Sequence, residues 1–203
     1  MSGNLFIVSA PSGAGKTSLV KALLSTNQDI ALSVSYTSRA PRSGEVDGKD
    51  YHFVSREKFL SMAQQGDFLE RAEVYGNFYG TSKSWISSQT AGGRDILLEI
   101  DWQGAQQVRS MFPRCISVFI LPPSLQALQD RLNNRKQDSA EVIARRMASA
   151  REEVAHIGEF DYVIINDKLD EALQQLNAIV VAAALRSERQ LARRQNLITQ
   201  LLN

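Results

Sequence analysis

The sequence predicts an α/β protein: a parallel sheet core flanked by helices and built around a phosphate-binding loop (P-loop), with a small mixed α+β lobe inserted and a helical lid. Three observations predict it. Apolar runs without alternation recur at Leu5 to Val8, Ile96 to Ile100, Cys115 to Leu121 and Tyr162 to Ile165, the pattern of strands buried on both faces. Helical patterns lie between them, as a parallel sheet with crossover helices requires. The first run leads through Ala10-Pro11-Ser12-Gly13-Ala14-Gly15-Lys16-Thr17 into a helical pattern, so a glycine-rich turn joins strand to helix.

In order along the chain, the first strand and loop are followed by Leu19, Val20, Leu23 and Leu24 at helical spacing. From about Ser35 to Ser88 the composition shifts to Gly, Tyr, Ser and charged residues. Short strands are expected there at Tyr51 to Val54, Asp67 to Val74 and Asn77 to Tyr79, with a helix over Ser55 to Gln65 stopped near Gly66. After the strand ending at Ile100, Asp101 precedes a helical segment from Gln103 to Ser110. Pro122-Pro123 closes the next strand, and Leu125, Leu128 and Leu132 then recur on one helix face. The polar, basic stretch Asn133 to Gln137 separates two helices. Asp138 with Glu141 three residues on has the form of a capping box, and Ile143, Met147, Ala150 and Val154 make the next stripe. Ala182 to Asn203 reads as one terminal helix. The predicted organisation is a core of residues 1–34 and 89–203, with a lid at about 133–146, and an inserted lobe of residues 35–88.

Composition narrows the function classes. The chain has 203 residues, with Lys plus Arg 23 against Asp plus Glu 22, so net charge gives no argument for nucleic-acid binding. Its one cysteine, Cys115, excludes an internal disulfide framework. Its place in an apolar run predicts a buried core thiol. The N-terminus has no basic-then-apolar leader and no apolar run reaches membrane-spanning length, so a soluble, cytoplasmic protein with no membrane partner is expected. The C-terminal stretch is expected to be a solvated helix, a homo-oligomer through it being the lesser alternative.

The loop carries the chemistry. Gly13 and Gly15 let the backbone approach an anion with its N–H groups exposed, and a helix N-terminus adds partial positive charge. Lys16 can reach outer phosphates, and the Thr17 hydroxyl can hold Mg²⁺. The usual pattern opens with glycine where this chain has Ala10, which predicts an altered start to the loop without loss of the site. Ser35-Tyr36-Thr37-Ser38-Arg39-Ala40-Pro41-Arg42 places two arginines about a stiff turn, where guanidinium groups could take phosphate oxygens or simply face water. In Phe68 to Val74, alternation puts Glu70 with Phe68, Ala72 and Val74 on an apolar face. A buried carboxylate needs a donor, either an internal arginine or a ligand. Asp101 ends a core strand, where ligands of open α/β sheets collect, or else caps the following helix.

These motifs together resemble the guanylate kinase family. The resemblance covers nearly the whole chain: Ser12-Gly13-x-Gly15-Lys16-Thr17, Ser35-x-x-x-Arg39-x-x-Arg42, Gly44-Glu45-x-x-Gly48-x-x-Tyr51, Phe68-x-Glu70, Tyr79-Gly80-Thr81, Ile100-Asp101-x-Gln103-Gly104 and Ile165-Asn166-Asp167. It implies ATP and GMP as substrates and Mg²⁺ as cofactor. It implies that Ser12, Gly13, Ala14, Gly15, Lys16, Thr17 and Ser18 hold ATP phosphates, with Thr17 on the metal and Asp101 near it. Asn166 would lie near the adenine through backbone groups. Arg39, Arg42, Tyr51 and Tyr79 would grip the GMP phosphate. Ser35 and Thr81 would donate to guanine O6 and N7, and Glu70, with Asp101 nearby, would accept from N1–H and the exocyclic amine. Lys16, Arg135 and Arg146 would act on the transferring group, with Arg131 assisting. Arg146 could otherwise be a snorkelling surface residue. Where the family often has Gly-Arg-Gly, this chain has Asn134-Arg135-Lys136, which bears on lid flexibility. His52 and His156 are expected to be structural or exposed. The alternatives are a kinase of another small phosphate ester and a non-catalytic binding module of the same fold.

Overall fold

Strand β1 (Leu5–Ser9) shows why its run does not alternate: all five residues are buried. Phe6 and Val8 face a cluster holding Leu19, Val20 and Leu23 of α1 (Lys16–Thr26), together with Leu176 and Val180 of a late helix. Leu5 and Ile7 face a second cluster with Ile86, Ala105, Val108 and Phe119. One strand therefore feeds two cores, and truncating Leu5, Phe6 or Ile7 to Ala would cost about 2–5 kcal/mol. The structure is a computed structural model that describes residues 3–134 and 140–203.

Around β1 the core sheet is wholly parallel, in the order β2 (Ile30–Leu32), β7 (Asp95–Glu99), β1, β8 (Ile116–Leu121), β9 (Tyr162–Ile165). A second sheet comes from residues 36–82: β4 (His52–Phe53), β3 (Tyr36–Thr37), β6 (Asn77–Ser82) and β5 (Phe68–Val74), with β4 parallel to β3 and the rest antiparallel. Helix α2 (Arg56–Gln64) lies against it, capped by the Ser55 hydroxyl and followed by Gly66 at φ 75°. Its Phe59 stacks between Phe68 and Phe78. Helix α3 (Lys83–Ala91) returns the chain to the core through buried Ile86, so a boundary at residue 88 falls within a helix that packs on the core.

The other helices are α4 (Trp102–Met111), α5 (Leu125–Asn134), α6 (Ala140–Ala155), α7 (Leu169–Ala184), α8 (Ser187–Arg193) and α9 (Gln195–Leu202), with a 3-10 turn at Ile157–Glu159. Leu128 and Leu132 of α5 meet Ile143, Met147 and Ala150 of α6, most of the two stripes expected from spacing; Leu125 is exposed instead, and Val154 packs on the cluster around Ile7 and Phe119. Among the described residues no helix is long and apolar enough to cross a membrane.

Four expectations are corrected. The Tyr162–Ile165 run is not buried on both faces: β9 is the sheet edge, and only Ile164 is covered while Val163 and Ile165 are exposed. The terminal segment is not one helix from residue 182. It breaks at Leu185–Arg186, and α8 turns back so that Arg189 makes a buried ion pair with Asp95 at 2.5 Å. Asp95 Oδ1 also accepts from the Asn4 N–H, so the tail is tied to the start of the sheet instead of being solvated throughout. Alternation fails in β5, where a register shift between Phe68 and Glu70 leaves Leu69 and Glu70 both buried. Cys115 is half-buried, and burial pushes its thiol up to about 11. The capping box at Asp138 lies outside the described residues.

Candidate functional site

Beyond the carboxyl ends of β1 and β7 lies a cavity of about 400 Å³. One wall is the loop 10–17. Gly13 and Gly15 adopt φ 95° and 92°, conformations that L side chains rarely take, so glycine is required at both. Ala10 does not have a positive φ and is buried in the core with Val8 and Ala14, so the first loop position has no need of glycine here. Lys16 Nζ donates to the Ile100 carbonyl at 3.0 Å, across the mouth of the cavity. Thr17 Oγ1 donates to Glu99 Oε1 at 2.5 Å. Glu99 is a site residue that the sequence reading passed over. It is the polar end of an apolar strand beside the loop, and that position was the available signal.

The opposite wall is the inserted lobe. Glu70 is only 3% exposed. Thr81 Oγ1 donates to its Oε1 at 2.6 Å, and no arginine pairs with it among the described residues. Burial pushes the carboxyl up to about 7, with the Thr81 hydrogen bond opposing and the charge of Asp101 adding. Its Oε2 lies where a Cβ on Gly104 would come within 2.6 Å, which explains glycine at that helical position. Asp101 does both things expected of it: it caps α4, accepting from the Gly104 N–H at 2.8 Å, and it lines the cavity. Gln107, also missed, clamps β5 to α4 by accepting from the Arg71 N–H and donating to its carbonyl.

Ser35, Arg42, Tyr51 and Tyr79 line the same cavity as Glu70 and Asp101. Tyr51 and Tyr79 meet edge to face at 5.9 Å, and burial pushes the Tyr51 phenol up to about 12, so it stays a donor. Arg39 sits behind them, 5.4 Å from the Tyr51 ring centre, paired with Glu45 at 2.8 Å and not on the cavity wall. Thr81 is likewise one layer back, in contact with Glu70.

A third wall is α6. It contributes Arg146, 5.8 Å over the ring of Tyr75, and Glu153, a carboxyl pushed by burial up to about 7 with Lys16 opposing. Tyr75 and Gly76 are the two-residue turn of the β5–β6 hairpin, both at positive φ, so the lobe touches α6 through a tyrosine in a conformation unusual for its type. Arg135 lies outside the described residues. Arg131 does not face the cavity: it donates to the carbonyls of Ala14 and Asn166 at 3.2 and 2.8 Å. Asn166 is buried, its backbone N–H bonded to Leu121 and its carbonyl to Arg131, so both backbone groups expected near an adenine are already engaged. His52 tilts against Tyr36, and His156 stacks at 3.6 Å on Trp102, a residue of the cavity wall; neither histidine lines the cavity itself.

The glycine-bearing loop 10–17 faces a buried carboxylate, Glu70, across one cleft. The guanylate kinase family profile matches residues 2–183. The chain belongs to the guanylate kinase family. It is 60% identical over 202 residues to a guanylate kinase of Methylobacillus flagellatus, covering all of both chains. It is 60% identical over 199 residues to one of Nitrosospira multiformis, covering 98% of this chain and 95% of that one. The crystal structure of guanylate kinase from Anaplasma phagocytophilum superposes with TM-score 0.79 at 35% identity, over 98% of this chain and 96% of that one. Family membership accounts for the fold observed, a parallel core with a second mixed sheet beside it.

Proposed function

We propose that the chain transfers the terminal phosphoryl group of ATP to GMP, giving ADP and GDP. The observation that carries it is Glu70: a buried carboxylate that faces the loop 10–17 with no cationic partner among the described residues, its side-chain donor there being the Thr81 hydroxyl. Guanine offers donors at N1 and N2, whereas adenine has an acceptor at N1 and a C–H at C2. Facing adenine, the carboxylate would stay buried without its partners, a penalty large enough to reject the wrong purine by about 10⁴-fold.

On this reading Ser35 donates to the guanine edge, Thr81 holds the Glu70 carboxylate from behind, and Arg42, Tyr51 and Tyr79 take the GMP phosphate. Arg39 supports the two tyrosines from behind and reaches the phosphate when its Glu45 pair loosens. The loop from Ser12 to Ser18 takes the ATP phosphates on its N–H groups. The attacking phosphate oxygen of GMP is already ionised at neutral pH, so no general base is required. Catalysis consists of alignment and charge stabilisation by Lys16, Arg146 and Arg135. Lobe 35–88 and α6 would close on both substrates and exclude water from the transferring group.

The residues fit a Mg²⁺ site. The Thr17 hydroxyl and Glu99 carboxylate, 2.5 Å apart at the end of the loop, are hard oxygen donors of the kind this cation takes. Thr17 would bind it directly, Glu99 and Asp101 would hold its waters, and phosphate oxygens would complete the set. When bound, the ion neutralises charge on the β- and γ-phosphates.

The deciding experiment is a coupled ADP-release assay with each nucleoside monophosphate in turn. Turnover with GMP at least about 10³-fold above AMP is expected. Equal rates, or none with GMP, would refute the proposal.

A further inference from the structure

The carbonyl of Ala14 is the most heavily engaged backbone group in the loop. The side-chain amide of Asn166 donates to it at 2.8 Å and the guanidinium of Arg131 at 3.2 Å. A carbonyl oxygen has two lone pairs, so the two donors saturate it. Arg131 also donates to the Asn166 carbonyl at 2.8 Å, which closes the three residues into a ring. All of this is set on rigid elements. Asn166 follows β9, its N–H held by Leu121 at 2.7 Å, and Arg131 is fixed on α5, whose Leu128 and Leu132 press on Gly13.

The consequence concerns the next peptide atom. In a trans peptide the carbonyl of one residue and the N–H of the next point in opposite directions. Holding the Ala14 carbonyl into the protein therefore turns the Gly15 N–H outward, where it finds no acceptor among the described residues. Gly15 lines the cavity at φ 92°, and a Cβ there would come 2.4 Å from Asn166 Nδ2. Glycine is thus demanded at this position twice, by the backbone conformation and by the amide packed on it.

We infer that Asn166 is a positioning residue of the phosphate loop: with Arg131 it locks the Ala14–Gly15 peptide so that the Gly15 N–H is presented to an anion before one arrives. The inference rests on the phosphate-loop reading above. It places the action of Asn166 on the phosphates and not on the base of the donor nucleotide. An N–H already aimed costs no reorientation when the phosphate binds, which is where the lock contributes affinity.

The test uses a probe that has phosphates and no base. Binding of inorganic tripolyphosphate with Mg²⁺ is measured by its competition with ATP, alongside the KM for ATP, in the wild type and in Asn166→Ala. Thermal unfolding is followed in parallel. A lock predicts that both constants weaken by the same factor, about tenfold or more, with the KM for GMP unchanged. A loss confined to ATP would mean that Asn166 serves the base, and no loss in either would mean that the loop holds its shape alone; each result overturns the inference. Should Asn166→Ala fail to fold, the isosteric Asn166→Asp takes its place. Its carboxylate repels the Ala14 carbonyl at pH 8, and its protonated form donates to it, so tripolyphosphate binding relative to wild type should recover as pH falls toward 5. Wild-type affinity at pH 8, or a flat ratio, counts against the lock. A wild type that binds ATP yet ignores tripolyphosphate would remove the phosphate-loop reading and the inference with it.

Discussion

The two halves of the cleft are made of different material. On the proposed assignment the donor half is main chain: two glycines at positive φ, the N-terminus of α1 and a peptide whose carbonyl is tied down from behind. The acceptor half is side chains: a buried carboxylate, two tyrosines and an arginine, carried on a short-stranded lobe. A main-chain site recognises what every nucleoside triphosphate shares. A side-chain site can tell one base from another. Generality and selectivity are thus assigned to separate parts of the chain, and substitutions on the two sides should fail in different ways.

The sharpest way to break that contrast is Lys16→Ala. Lys16 is the one long cation projecting from the loop across the cavity. Its loss should lower kcat by about 10³-fold, the scale of removing a charge-stabilising donor, while GMP affinity from equilibrium binding stays within about twofold. A comparable loss of GMP binding would mean that the halves are not separable. Glu70→Gln addresses the other half. The amide keeps the size, gives up one acceptor, and can turn its N–H₂ toward adenine N1. The KM for GMP should rise by about 10²-fold and the preference over AMP should shrink, with kcat for GMP much less affected. Steady-state kinetics with both monophosphates decides it.

The same contrast explains what the sequence revealed. The loop was readable because its requirements are local: glycine where φ must be positive, and Lys-Thr where the helix begins. The core strands were readable because burial on two faces leaves unbroken apolar runs, and this reading failed for β9, where an edge strand keeps the composition of a central one while Val163 and Ile165 meet solvent. The buried state of Glu70 was legible, but not its register, since the bulge after Phe68 is a property of the pairing with β6. Glu153 and Gln107 gave no signal, because charged and amide residues on helices ordinarily face water and only the docking of α6 and α4 brings these to the cleft and to β5. Arg189 was hidden for a similar reason. A terminal segment rich in Arg and Gln reads as solvated until the turn at Leu185–Arg186 aims one guanidinium at Asp95.

Gly104→Ala offers a gentler probe of the acceptor half. Its methyl would come 2.6 Å from Glu70 Oε2 and displace a carboxylate that α4 and Thr81 otherwise hold in place. The KM for GMP should rise by about tenfold, since a shift of about an ångström at a positioned group is costly, and the KM for ATP should not follow. Equal rises in both constants would indicate a general disturbance of α4 instead of a local one at Glu70.

Proton uptake gives the smallest effect and the finest discrimination. Burial pushes the Glu70 carboxyl up to about 7 in the free protein, whereas on the proposed reading guanine is held by the ionised form. Below pH 7 GMP must therefore displace a proton, and its affinity should fall by about tenfold per pH unit. Asp101, Lys16 and Glu153 face the same cavity, and the second ionisation of a phosphate monoester lies at about 6, so part of any slope is not due to Glu70. The quantity to measure is the difference between wild type and Glu70→Gln from pH 6 to 8 by calorimetry: about one proton fewer released per GMP bound by the variant at pH 6. The ligand-free protein should show the opposite trend. A carboxyl whose folded-state pKa is raised from 4.5 to about 7 keeps its proton when the unfolded chain has lost it, so stability falls as pH rises from about 4.5 to 7. Glu70→Gln should flatten that decline in thermal unfolding, and saturating GMP should offset it in the wild type alone. Identical profiles for the two proteins would mean that Glu70 is ionised throughout, and that hydrogen bonds in the free lobe, not guanine, compensate its burial.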